Sequence, residues 1–120
     1  MANPNIVGVT AIYGKTAGLA VTTSAAAIVT NAASSGKILK VNSLTVANIN
    51  TAAATVNVDV YKNQTTAYRL AFTVTVPANA TLVIISRETP IYLEENDSIR
   101  LTASINSYLE GVVSYEEISS

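Results

Sequence analysis

The chain has 120 residues, 49% of them hydrophobic and 12% charged, with a formal net charge of −1; that is one domain's worth of chain, long enough to bury a core without staples. It contains no Cys and no His, so disulfide frameworks, thiolate metal sites, His-dependent zinc hydrolases and Ser-His-Asp or Cys-His nucleophiles are excluded by composition. No basic cluster accompanies the near-neutral charge, which argues against direct work on nucleic acid. The charged fraction is about half of the roughly 25% usual for soluble domains, which suits a surface finished with Thr, Ser, Asn and Ala and covered by partners.

At the start, "MANPNIVGVTAIYGK" lacks the basic stretch and continuous apolar core of a signal peptide, and no apolar run approaches the roughly 18 residues of a membrane span. The expectation is a chain made and kept in the cytosol, without a membrane. The glycosylation patterns at Asn63, Asn79 and Asn96 then carry no weight. Residues 5–13 read as a strand. Residues 16–37, "TAGLAVTTSAAAIVTNAASSGK", are rich in Ala, Thr and Ser; Ala25 to Ala27 could begin a helical turn, but Val21, Ile28, Val29 and the Thr residues favour two short strands. Residues 1–35 are also the best candidate for a partly extended arm or a loop-rich edge that orders against a neighbour.

Residues 37–49, "KILKVNSLTVANI", form a further strand whose apolar phase shifts between Val41 and Leu44, predicting a bulge near Asn42-Ser43. In "TVNVDVYK", Val56, Val58 and Val60 alternate with Asn57, Asp59 and Tyr61, one apolar face and one polar. "RLAFTVTV" places Leu70, Phe72, Val74 and Val76 inside and Arg69, Ala71, Thr73 and Thr75 outside by the same rule. The polar run Asn63-Gln64-Thr65-Thr66 between them has the length of a hairpin connection. Strands follow at 80–86, 91–93, 98–104 and 110–118. Turn signals at this spacing, with about eight strands, predict an all-β single domain: an antiparallel β-sandwich with jelly-roll-like connections, a small closed barrel being the alternative.

The most reactive-looking stretch is "PIYLEENDSIRLTAS", with Glu94, Glu95 and Asp97 in four positions. It lacks the alternate oxygens and central Gly of an EF-hand loop, and adjacent carboxylates cannot oppose each other across a glycosidase cleft. Asn96-Asp97 reads instead as the turn of a β-hairpin, its acids keeping a loop tip soluble. No catalytic, cofactor or metal residue is therefore assigned, and the five scattered glycines fit no nucleotide cradle. Tyr61 and Tyr68, beside Lys62 and Arg69, have the composition of an interface anchor, with ordinary strand-end tyrosines or a ligand platform as the alternatives. Tyr115, Glu116 and Glu117 read as the outer face of a last strand, either guarding an edge or simply solvated. Residues 1–58 hold Lys15, Lys37 and Lys40 and no acid, whereas every carboxylate lies from Asp59 onward; either chance or a mild dipole favouring head-to-tail association accounts for this.

Three segments, "MANPNIVGVTAIYGKT", "NAASSGKILKVNSLTVANI" and above all "VPANATLVIISRETPIYLEENDSIRLTASINSYLEGVVSYEEI", resemble small virion structural proteins of tailed bacteriophages, particularly of marine and cyanobacterial phages. The resemblance covers most of the chain and is strongest from Val76 onward. Where this chain has Asn96 such proteins usually carry Gly, which fits a turn rather than a shared metal site. The resemblance implies no catalytic motif. It implies a decoration or cement protein on the capsid surface that binds the major capsid protein, often as a homotrimer, assembled in the host cytoplasm. A neck, tail or fibre-associated module binding a receptor or carbohydrate is the second expectation, and an enzyme a distant third.

Overall fold

The computed structural model describes residues 7, 8 and 11–119. Nine strands lie among them: β1 Ala11–Ala20, β2 Ala26–Thr30, β3 Lys37–Asn48, β4 Ala54–Lys62, β5 Thr66–Val76, β6 Thr81–Ile85, β7 Ile91–Leu93, β8 Ser98–Ala103 and β9 Leu109–Ser119. Of the first expected strand, 5–13, residues 11–13 begin β1, Val7 and Gly8 are a turn and a bend, and 5, 6, 9 and 10 lie outside the described residues. Residues 11–30 form β1 and β2, each at the edge of its own sheet.

All pairings are antiparallel and give two sheets, β1-β9-β3-β6 with β7 also on β3, and β2-β8-β4-β5. The order has a simple origin. The chain doubles back at the β4–β5 hairpin, so that β3 pairs with β6 and β7, β2 with β8 and β1 with β9. Rolling that long ribbon lays β9 against β3 and β8 against β4, which is the jelly roll, an antiparallel β-sandwich. β6 and β7 bond to successive parts of β3, Leu44–Ala47 and Leu39–Val41, so they are two pieces of one edge interrupted at 86–90.

Between the sheets, Val41, Leu44, Val46, Ile85, Leu93 and Val113 face Val56, Val58, Ile99 and Leu101, all fully buried. Each such side chain contributes about 1.5–3 kcal/mol by leaving water. The predicted bulge is present: the β3–β9 register shifts between Val41 and Ser43. It lets Val41 and Leu44, three apart, both reach the core.

One strand departs from its alternation. β5 shifts register against β4 twice, between Val56/Val58 and Val58/Asp59. Ala71 consequently pairs with Val58 and is buried, while Leu70 and Phe72 are exposed, the latter by 66%. The expected inward placing of Leu70 and Phe72 is thus reversed, although Val74 and Val76 remain on the inner side. Thr73 marks the Val56/Val58 shift with φ 52°, a strained conformation for a β-branched residue, and its N–H donates to Asn57 Oδ1.

Gly111 of β9 shows how closely the sheets meet. A Cβ there would stand 2.5 Å from Leu101 Cδ1 and 3.2 Å from Ile28 Cδ1, both atoms of buried side chains. Gly111→Val should therefore destabilise the protein by about 1–3 kcal/mol through overpacking. Gly14→Ala, where nothing lies within 4 Å, should leave the urea midpoint nearly unchanged; equal effects of the two would contradict the packing described.

Candidate interaction surface

The acidic stretch is a turn, but not that of a hairpin. Asp97 N–H donates to the Glu94 carbonyl at 3.1 Å, and Asn96 takes φ 70°, the left-handed region that Asn tolerates. The strands on either side do not pair: β7 bonds to β3 in one sheet and β8 to β2 and β4 in the other. Residues 94–97 form an arch that carries the chain across the sandwich. Alternation on both arms is the same for a hairpin and an arch, because each arm has one apolar face in either case.

Nor do the acids simply solubilise a loop tip. Asp97 is 1% exposed. Its Oδ1 accepts Asn63 N–H at 2.8 Å, and its Oδ2 accepts Glu94 N–H at 3.0 Å and Lys62 Nζ at 2.7 Å. Glu94 also meets Lys62, at 3.1 Å, and Glu95 accepts the Gly36 N–H. The hydrogen bond to Asp97 chiefly raises the Lys62 pKa above its ordinary value, against the opposing effect of burial. Asn31 closes the same corner: its backbone exchanges bonds with Asp97 and Asn96, and its Nδ2 donates to the carbonyls of Lys37 and Leu93 at 2.9 and 3.0 Å. Four segments, the β2–β3, β4–β5 and β7–β8 connections and the end of β4, are thereby tied together. The carboxylates are surrounded by donors, the arrangement of a structural clamp.

The four residues singled out as an interface anchor fall in different places. Tyr61 lies on the outer face of β4, half-buried, with the Arg100 guanidinium 3.8 Å from its ring centre; Arg100 in turn donates to the buried Asp59 at 2.9 Å. Lys62 belongs to the clamp. Tyr68 pairs with Val60, not with Tyr61, so the two tyrosines point to opposite faces of the sheet. Arg69 stands opposite Asp59 in register and 5.6 Å from the Phe72 ring. Tyr68, Leu70 and Phe72 do share the β5 edge, exposed by 62%, 40% and 66%. Sequence alternation missed Leu70 and Phe72 because two bulges shift them; the only local signal was the alternation of Arg69, Ala71 and Thr73 with them, which reads either way.

Tyr115, Glu116 and Glu117 are on β9, the strand between β1 and β3, and so guard no edge. Glu117 bridges Lys15 of β1 at 3.0 Å and Lys37 of β3 at 3.1 Å. Burial pushes its pKa up, but the hydrogen bonds from Lys15 and Lys37 outweigh this and hold it below the usual value. Comparison with known protein families finds no family model that matches the chain, and comparison with curated proteins finds no match.

Two outcomes follow. Asp97→Ala leaves the Asn63 and Glu94 amides without their partner in a part-buried corner and should cost on the order of 1–3 kcal/mol in chemical denaturation; Lys62→Gln, which leaves both amide bonds in place, should cost less. Glu117 has a lowered folded pKa, so its stabilisation is present above the unfolded value of about 4.5 and is lost as pH falls through the folded one. The stability gap between the wild type and Glu117→Gln should therefore be widest at neutral pH and close on acidification below about pH 4; a gap independent of pH would contradict the bridge.

Proposed function

We propose that the chain is a non-enzymatic structural protein of a phage particle, a decoration protein that binds the outer capsid shell and bridges neighbouring major capsid subunits. The observation that carries this reading is the exposed β5 edge, on which Tyr68, Leu70 and Phe72 are all exposed and Arg69 stands over the Phe72 ring. Aromatic residues and Arg are the side chains that interfaces enrich and that anchor them. An edge strand with such side chains is the surface that a monomer in water blunts and a partner covers.

The clamp gives this edge its mechanical use. Because Lys62, Asn63 and Gln64 at the hairpin tip are bonded to the 96–98 segment, the β4–β5 hairpin is held in position before it meets a partner, which lowers the ordering cost of binding. Repetition around a symmetric shell, as trimers in our reading, makes modest contacts act together. The jelly roll recurs among viral capsid proteins, and the sequence resemblance points the same way; both are analogies.

A cryo-electron microscopy reconstruction of the virion that contains the chain tests the assignment. The expected result is this fold on the capsid exterior, its β5 edge against the major capsid protein, with occupancy lost in Tyr68→Ser/Phe72→Ser. Its presence only at the neck or tail would replace the capsid role with the second reading, a tail or fibre-associated module.

A further inference from the structure

Seven cations are present in the chain. Lys15, Lys37, Lys62 and Arg100 are in ion pairs. Lys40, Arg69 and Arg87 have no carboxylate within ion-pair distance among the described residues, and two of these three, Lys40 and Arg87, line one recess of about 540 Å³ together with Asn42, Ser43 and Ser114.

The recess exists because two irregularities of the sheet coincide. β3 bulges at Asn42, between Val41 and Ser43. At the same level its neighbour breaks: β6 ends with Ile85 opposite Leu44, β7 resumes with Ile91 opposite Val41, and residues 86–90 leave the sheet carrying Arg87. Bulges of this kind re-aim side chains and are enriched beside binding sites. Ser114 enters as the register partner of Ser43 on β9. Tyr92, exposed by 42%, is the register partner of Lys40 and flanks it on the other side.

The lining is a set of donors of two kinds. Lys40 and Arg87 offer full positive charge, while the Asn42 amide and the Ser43 and Ser114 hydroxyls offer neutral hydrogen bonds. Glu116, opposite Lys40 in register, accepts from Asn42 Nδ2 at 3.4 Å; it fixes the amide and leaves the surplus of charge positive. A bare anion needs only the two cations. Hydroxyl and amide partners, a neighbouring aromatic ring and a volume within the roughly 300–1,000 Å³ of small-molecule sites call for a larger polar ligand.

We propose that this recess binds an acidic saccharide, its carboxylate or sulfate held by Lys40 and Arg87, its hydroxyls bonded by Asn42, Ser43 and Ser114, and its ring against Tyr92. The site lies on the sheet opposite the β4–β5 hairpin and does not depend on where in a particle the protein sits.

The test is amide NMR of the full chain titrated with galacturonic acid and N-acetylgalactosamine 4-sulfate, beside neutral galactose and N-acetylgalactosamine, sodium sulfate and a Glu-rich peptide. The acidic sugars should shift the Ser43 and Ser114 amides and bind at least about tenfold more tightly than their neutral counterparts. Lys40→Gln and Arg87→Gln should each weaken them about tenfold, with the remaining spectrum unchanged because neither side chain is in an ion pair among the described residues. Added salt should weaken binding. No shift at Ser43 or Ser114, sulfate binding as well as the sulfated sugar, or the peptide binding better than either sugar would each overturn the proposal.

Discussion

The Asp97 carboxylate holds two backbone amides and one ammonium at the point where the chain leaves one sheet for the other. A sandwich can be crossed only by a connection whose backbone polar groups lose their ladder partners, and buried groups of that kind must find others. Asp97 and Asn31 supply them at this end. At the opposite end Asn48 does the same work, donating to the carbonyls of Ala52 and Val76 and accepting the Asn50 N–H. No buried side-chain polar atom among the described residues lacks a partner. The closure of the roll, the fixed hairpin and the exposed edge that it presents all depend on these corners.

The uneven distribution of charge takes its meaning from the same topology. Lysines in the first half and carboxylates in the second would make a dipole in an extended chain. In a ribbon folded at β4–β5, the first half pairs with the second, so Lys15 and Lys37 both reach Glu117. Two of the three lysines in the first half thus serve cross-strand complementarity between β1, β9 and β3.

Much of the architecture was legible from alternation and turn residues. The β4 valines, the bulge at Asn42, the two strands in the Ala-rich segment and the turn at Asn96 all follow from local rules, because each depends on neighbours in sequence. The misreadings share one physical cause. Alternation reports which residues share a face, but not which strand bonds to which, so the 94–97 arch read as a hairpin and the place of β9, central or edge, was left open. In β5 two extra residues move Leu70 and Phe72 out without changing the composition of the strand, and Ala71, the smallest apolar side chain, fits the interior place that they vacate. The recess was hidden for a similar reason: Lys40, Arg87 and Ser114 are far apart in the chain and meet only where two irregular strands align.

A rigid corner that tethers the hairpin is the claim on which the functional reading rests, since a mobile edge would have no fixed geometry to offer a shell. Native-state hydrogen exchange of the Asn31, Asn63, Glu94 and Asn96 amides measures it directly. The account predicts protection close to that of core amides in β3 and β8, lost only with global unfolding. Exchange as fast as that of an open loop, with β3 and β8 still protected, would contradict it.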